Sequence, residues 1–224
     1  MKTDLDNSEN ESKRSDAILI ANENYLEICN LSKDAQNKKY QYLPYWKAKE
    51  SKLLLRELKK PRRYFNTYKR GTIVKIDFGV NLGCEFSQIH YAIVLSKKDN
   101  RLSETISVIP LTSKDKSYNL NIGNIMFDNA MKTINDQIQG ISDEINLLDK
   151  NFRDKISKLK EILTYYTANP ISSYACYRNI ITVSKTRIMP KINEFDFMNT
   201  AICSESIMTK IDEEIIKYYT NYKL

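Results

Sequence analysis

The chain is poor in the residues that build metal centres and disulfide frameworks. Its 224 residues include one histidine, His90, and four cysteines, Cys29, Cys84, Cys176 and Cys203. No two cysteines form a CxxC pair, and one histidine does not complete a zinc-ligand set with them. Scattered cysteines without a secretion signal point to a reducing cytosol. The opening residues, MKTDLDNSENESKRSD, have no apolar stretch and do not read as a signal peptide. No apolar run approaches the ~20 residues of a membrane span, so no membrane association is expected. Glycine is scarce, at five residues. Gly79 and Gly83 match neither a phosphate loop nor a dinucleotide fingerprint, and there is no internal repeat.

What remains is a globular mix with some excess charge, 42% hydrophobic and 28% charged. The length suits one domain with a core plus additions, or two small domains. Thirty-five basic against 28 acidic residues leave a net charge of +7. That balance, with 15 tyrosines, suits a polyanion partner, because lysine and arginine replace counterions on phosphates. Solubility alone explains the same excess equally well.

Along the chain, residues 1–15 are charged and rich in Ser and Asn, the composition of a disordered tail. Ile18, Tyr25, Ile28 and Cys29 then fall at near-helical spacing behind a capping Asp16. A second helix is predicted over Tyr45–Leu58, with Pro44 at its first turn and Trp46, Leu54, Leu55 and Leu58 near one face. The basic knot at 59–63 reads first as a solvated helix end and second as a phosphate-binding arm. Downstream, the apolar residues Ile134, Ile138, Ile141, Ile145, Leu148, Phe152, Ile156, Leu159 and Leu163 step by three and four. This predicts one long amphipathic helix over roughly 131–166, about 50 Å if unbroken, or two in a hairpin, acting as a protruding arm, a coiled coil or a packing helix. Strands are expected at Ser173–Tyr177 and Asn179–Ser184, and a last helix from Phe197 or Ser204 to Tyr219.

The centre of the chain, Arg70–Lys114, is β-type. Thr72–Phe78 alternates, with Val74, Ile76 and Phe78 opposite Lys75 and Asp77. A loop over Gly79–Ile89 follows. His90–Ser96 is nearly continuously apolar and is expected to be buried on both faces. Thr105–Leu111 is a third strand, with Pro110 predicting an edge or an end. Residues 118–127 read as a fourth strand or a strand pair. Short antiparallel strands with polar loops suggest a small barrel or half-barrel.

These signals, in this order, resemble the PemK/MazF family of toxin–antitoxin endoribonucleases. Arg70-Gly71-Thr72-Ile73 resembles the opening strand, Gly83-Cys84-Glu85 the loop, and His90–Leu95 the second strand. Asn100–Thr105 resembles the following turn, and Pro110-Leu111-Thr112-Ser113 the strand end. Ile180–Ile188 and Met208–Glu213 resemble the downstream strand and terminal helix. The likeness covers about 68–127 and 171–219. It implies an α+β fold: a small SH3-like β-barrel with a C-terminal helix. An N-terminal helical extension (16–66) and a helical insertion (about 128–168) then stand outside the compact core of a domain spanning 67–224. It further implies a cytoplasmic homodimer that cuts single-stranded RNA without metal or cofactor and is neutralised by a cognate antitoxin.

Two positions depart from the family pattern. His90 stands where the family has its catalytic arginine, and Ile181 replaces a second arginine. Thr112 is retained. In this family the substrate 2′-OH is the nucleophile, so the site must take a proton from it and stabilise the phosphorane. Histidine can serve as base or acid near neutrality, whereas arginine keeps its proton and acts mainly through charge and hydrogen bonding. The resemblance thus makes His90, Thr112 and Glu85 the catalytic candidates, with Glu85 orienting His90 or acting as a partner base. Ser113, Lys114, Lys116, Ser87, Lys185 and Arg187 are candidate substrate contacts. Without the resemblance, each has a plainer reading: a strand-head histidine, a strand end at Thr112-Ser113, a solvated loop glutamate, and a solvated basic turn at Lys185-Thr186-Arg187. The competing functional reading is a non-catalytic binding module on the same barrel, a degenerate nuclease, a gyrase-poison-like protein or a DNA-binding protein.

Overall fold

A computed structural model of the protein describes residues 2–32, 38–59, 64–123, 131–132, 134–140, 150–169 and 174–222. The chain forms two compact units. The first holds two helices, α1 (Lys2–Leu31) and α2 (Lys38–Lys59), together with the segment Gly79–Gln88. The second holds the strands and the remaining helices.

Helix α1 runs through residues 2–15, where composition predicts a disordered tail. No glycine or proline precedes Pro44, and the Lys, Glu, Asn and Ser of this stretch carry only small helix penalties. Helix α2 starts at Lys38, seven residues before the predicted Tyr45, so Pro44 lies inside the helix rather than at its first turn. Proline has no N–H for the carbonyl four residues back. Burial of Leu43 and Trp46 on either side of it holds the interrupted turn in place. The predicted shared face is not buried along its length: Trp46 is buried, while Leu54, Leu55 and Leu58 are exposed. Of the basic knot, residues 60–63 lie outside the described residues.

Trp46 has a clear partner. Its indole lies against the backbone of Gly79, where a Cβ would fall 2.3 Å from Trp46 Cε2. Gly79 also has φ +75°, a conformation that a side chain disfavours. The Gly79–Gln88 segment closes on itself through Gln88 N–H to Gly79 O (2.5 Å). It is fastened to α2 by Lys39 Nζ to Gly83 O (3.0 Å) and Gln88 Nε2 to Lys38 O (2.7 Å).

In the second unit, β1 (Ile73–Asp77), β2 (Ile89–Val94) and β3 (Thr105–Thr112) form an antiparallel meander. The far edge of β3 is shared. Its first half pairs with β6 (Ile181–Ser184), and Leu111 and Thr112 pair with β5 (Tyr174–Ala175). Strand β5 in turn pairs with β4 (Leu120–Asn121). Beyond β4, residues 124–127 of the predicted strand pair lie outside the described residues. Pro110 sits inside β3, not at an edge or end as its type predicts. The β6 ladder stops at Val108 and the β5 ladder begins at Leu111. The missing N–H of Pro110 falls in this gap, while its carbonyl accepts from Cys176 N–H at 2.9 Å.

The fold is α+β, and among the described residues the six-stranded sheet is not closed into a barrel. The outer edge of β1 is satisfied piecewise. Ile76 bridges Ile188, Thr72 bridges Ile202, and Met189 N–H reaches Lys75 O at 2.8 Å. One sheet face carries Ile73, Tyr91, Ile93, Ile109 and Leu111, which pack with Leu159, Ile162 and Tyr166 of α4 (Lys150–Ala168) and Ile211 of α5 (Glu205–Tyr219). The other carries Val74, Ile76, Ala92, Val94 and Val108, all fully buried. Strand β2 is therefore buried on both faces through Tyr91–Val94, as its apolar run predicts.

The described parts of the insertion belong to this core. Helical residues 131–132 and 134–140 (α3) contribute buried Ile134 and half-buried Ile138, and α4 contributes Ile156, Leu159 and Leu163 from the predicted stripe. The positions Ile141, Ile145 and Leu148 lie outside the described residues, as does the choice between rod and hairpin. Tyr166 anchors α4 by donating to Asp196 Oδ1 at 2.7 Å. Asp196 also accepts from Ile192 N–H and Met198 N–H, both at 2.9 Å. Helix α5 begins at the second of its two predicted starts, with Ser204 Oγ accepting from Ile207 N–H.

Candidate functional site

The sheet register places the two central candidates. Val94, Ile93 and Ala92 of β2 pair with Val108, Ile109 and Pro110 of β3. That ladder ends at the Ala92–Pro110 pair; beyond it His90 pairs with Ile76 of β1 and Thr112 with Tyr174 of β5. Directly opposed residues of antiparallel strands present their side chains to one face. His90 thus heads the row that continues inward as Ala92 and Val94, and Thr112 ends the facing row. His90 is half-buried, with its ring centroid 6.4 Å from that of Phe78.

Thr112 is half-buried and pairs with Tyr174 across β5. Its Oγ1 accepts from Lys114 N–H at 3.2 Å, which leaves the hydroxyl proton to donate. The turn beyond it is ordered by Asn119, whose N–H bonds Lys116 O (2.8 Å) and whose Nδ2 bonds Lys114 O (3.2 Å). Ser113, Lys114 and Lys116 stand exposed on this turn. These four neighbours in sequence are also neighbours in the fold.

Glu85 and Ser87 belong to the other unit, within Gly79–Gln88. Glu85 is exposed, and its N–H caps a turn to Leu82 O at 3.1 Å. Ser87 Oγ is used inside its own loop, accepting from Asn81 N–H (3.0 Å) and donating to Glu85 O (3.2 Å). Ser87 therefore has a structural task within its own loop.

Lys185 requires the clearest correction. It is neither a solvated loop residue nor a substrate contact. Its side chain is 2% exposed and pairs with Asp99, itself 3% exposed, at 2.6 Å. Its ammonium also donates to Asn66 O (3.0 Å) and Asn100 O (3.2 Å). All three of its protons are used, so it joins three loops instead of meeting a phosphate. Arg187, half-buried, donates to Phe78 O at 2.8 Å. Ile181, at the departed arginine position, pairs with Val108 in β6.

Several polar groups were not legible in the sequence. Arg70 bonds Leu95 O and pairs with Asp212 of α5. Lys75 meets the Tyr165 hydroxyl. Exposed Arg178 lies among Tyr118, Tyr177 and Tyr218. An isolated arginine beside scattered tyrosines gives no spacing signal, since the rings come from three distant segments.

Burial pushes the Cys176 thiol up to about 11, with the Lys116 charge opposing. Burial alone pushes Cys203 up to about 12. Among the described residues, no group of three or more His, Cys, Asp or Glu is arranged to hold a metal ion, and no helix is long and apolar enough to cross a membrane. A groove of about 620 Å³ opens beside the β1 edge, lined by Tyr64, Tyr68, Lys185, Met189 and Asn199 among others. Neither His90 nor Thr112 lines it, so this groove and the candidate chemistry are separate.

No curated protein matches this chain. Among solved structures it is similar to MazF from Deinococcus radiodurans in its form-I crystal. That likeness has 10% identity and a TM-score of 0.39, and covers 69% of this chain and 97% of the other. Residues 69–218 match the family described as the PemK-like, MazF-like toxin of type II toxin–antitoxin systems. That span takes in β1 through α5, and with it His90, Thr112 and the lysine-bearing turn, so this chain belongs to the PemK-like, MazF-like toxin family.

Proposed function

We propose that this toxin is an endoribonuclease that cleaves single-stranded RNA without metal, using the substrate 2′-OH as nucleophile. The observation that supports this reading is the β2–β3 ladder, whose last pair, Ala92 and Pro110, lies two residues from His90 on one strand and two from Thr112 on the other, beside an exposed turn bearing Lys114 and Lys116. The His90 imidazole takes the 2′-OH proton as the oxygen attacks the adjacent phosphorus. The Thr112 hydroxyl donates to a non-bridging oxygen as charge develops there. Lys114 and Lys116 hold neighbouring phosphates. The P–O5′ bond breaks, water protonates the departing 5′-oxygen, and a 2′,3′-cyclic phosphate remains on the upstream product. Imidazole changes charge near neutral pH, so a histidine at this position can transfer the proton that a guanidinium cannot.

We also infer a cytoplasmic homodimer with a cognate antitoxin as its partner, on the strength of the family. A second reading, a non-catalytic RNA- or DNA-binding module, is favoured by one feature. Strand β6 carries no cation, with Ile181 in the departed arginine's place and Lys185 consumed by Asp99. End-group analysis decides between them. Incubation with single-stranded RNA in EDTA is expected to give 2′,3′-cyclic phosphate and 5′-hydroxyl ends. Retained RNA binding with no cleavage would replace this reading with the binding module.

A further inference from the structure

Past Thr112, three distant segments converge on one exposed cluster. The β3–β4 turn contributes Lys116 and Tyr118, the turn after β5 contributes Tyr177 and Arg178, and α5 contributes Tyr218. The guanidinium carbon of Arg178 lies 4.6 Å from the Tyr218 ring centroid, 5.2 Å from Tyr118 and 5.9 Å from Tyr177. Lys116 Nζ lies 5.3 Å from the Tyr118 ring. Tyr218 meets Tyr177 edge-on at 6.0 Å and Tyr219 at 5.0 Å.

Burial separates the base of this cluster from its top. Tyr177 is buried, whereas Arg178 is exposed and Tyr218 and Tyr219 are 50% and 49% exposed. Tyr118 is half-buried; a purely internal clamp would cover the cation and every ring, whereas Arg178 and Tyr218 remain open to solvent. Guanidinium is planar and weakly hydrated, so it stacks on rings and on nucleobases alike. The turn leading to the cluster carries two lysines and a single acid, Asp115, which takes a hydrogen bond from the Tyr174 hydroxyl. The electrostatic balance along Thr112–Tyr118 therefore favours a strand of phosphates, and the aromatic end favours a base.

We propose that Arg178, Tyr118 and Tyr218 form a stacking subsite for one unpaired RNA base, next to the phosphates met by Lys114 and Lys116. This rests on the RNA-cleaving reading above. Base–aromatic stacking tolerates any base, because every base offers a π-face. The subsite would hold the strand beside Thr112 without itself dictating a recognition sequence.

The test compares two fluorescent probes on the full chain in EDTA: a short 2′-O-methyl oligoribonucleotide of mixed sequence, and the same backbone with abasic residues. Tyr118→Ala, Tyr218→Ala and Arg178→Lys are expected to weaken the mixed-sequence probe about ten-fold each and to leave the abasic probe nearly unchanged. Lys116→Ala weakens both probes alike, and Tyr118→Phe, which keeps the ring, binds as wild type does. Unchanged binding of the mixed probe by all three variants would overturn the subsite and leave the RNA reading standing, as would equal losses on both probes. Failure of the wild type to bind either probe would overturn the reading and the subsite together. Thermal melting of each variant identifies any loss that comes from unfolding.

Discussion

Replacing Lys185 by alanine tests whether this lysine is a structural cation or a substrate contact. The ammonium is enclosed by one carboxylate and two carbonyls, from Asp99, Asn66 and Asn100. Asp99 holds two further donors, Asn100 N–H at Oδ1 and Tyr68 N–H at Oδ2, each at 2.9 Å. Removing the lysine therefore leaves a carboxylate buried with two neutral donors and no counter-charge. Breaking one side of a buried ion pair costs about 3–5 kcal/mol. At roughly 2–4 °C per kcal/mol for a chain of this size, the melting temperature should fall by about 10 °C. The pair itself need not be net stabilising, because the desolvation cost offsets much of the attraction. A Lys185→Met, Asp99→Asn double variant keeps an acceptor for Tyr68 N–H and removes both charges. It should recover at least half of the loss. Differential scanning calorimetry of the three proteins, with RNA affinity measured beside it, gives the answer. A Lys185→Ala protein that melts with the wild type but binds RNA more weakly would refute the structural assignment.

Two further outcomes follow from geometry already described. Gly79→Ala places a methyl group into the Trp46 indole at a positive φ, and should destabilise the first unit by more than ~2 kcal/mol. A quenched Trp46 emission and early proteolysis of residues 38–59 would report it, and an unchanged melting curve would count against the packing. Alkylation at pH 8 should modify exposed Cys84 and spare Cys176 and Cys203, whose buried thiols are held protonated at about 11 and about 12. The native state then keeps protons that the unfolded state releases above pH 9, the ordinary thiol value for these groups. Stability should fall as pH rises from about 9 to 11, and a flat urea midpoint over that range would contradict the burial.

Periodicity carried the parts of the fold that depend on local pattern. Thr72–Phe78, the apolar run after His90 and the terminal helix follow directly from spacing. Pairing was harder to read, because β3 divides its edge between two partners, and that division is what admits Pro110 to its interior. The insertion showed its apolar stripe but not its target. The stripe of a core helix and that of a free coiled coil look alike until Leu159, Ile162 and Tyr166 are seen against Tyr91 and Ile93. Within the site, motif order singled out His90, Thr112 and the lysine turn from positions that follow one another closely in sequence. It misjudged Lys185, since nothing local distinguishes a solvated lysine from one that meets Asp99 across 86 positions. It passed over Arg178, whose aromatic partners lie in three separate segments.

The central claim is that His90 and Thr112 act together on RNA. It is tested most directly by initial rates of single-stranded RNA cleavage in EDTA for wild type, His90→Ala, His90→Arg and Thr112→Ala. Each alanine variant is expected to lose about 10²–10⁴-fold in rate while still binding RNA, the range for removing a positioned proton carrier or a transition-state donor. His90→Arg is expected to keep part of the rate but lose the pH dependence near neutrality, because guanidinium does not titrate there. Cleavage at the wild-type rate by either alanine variant would contradict the account.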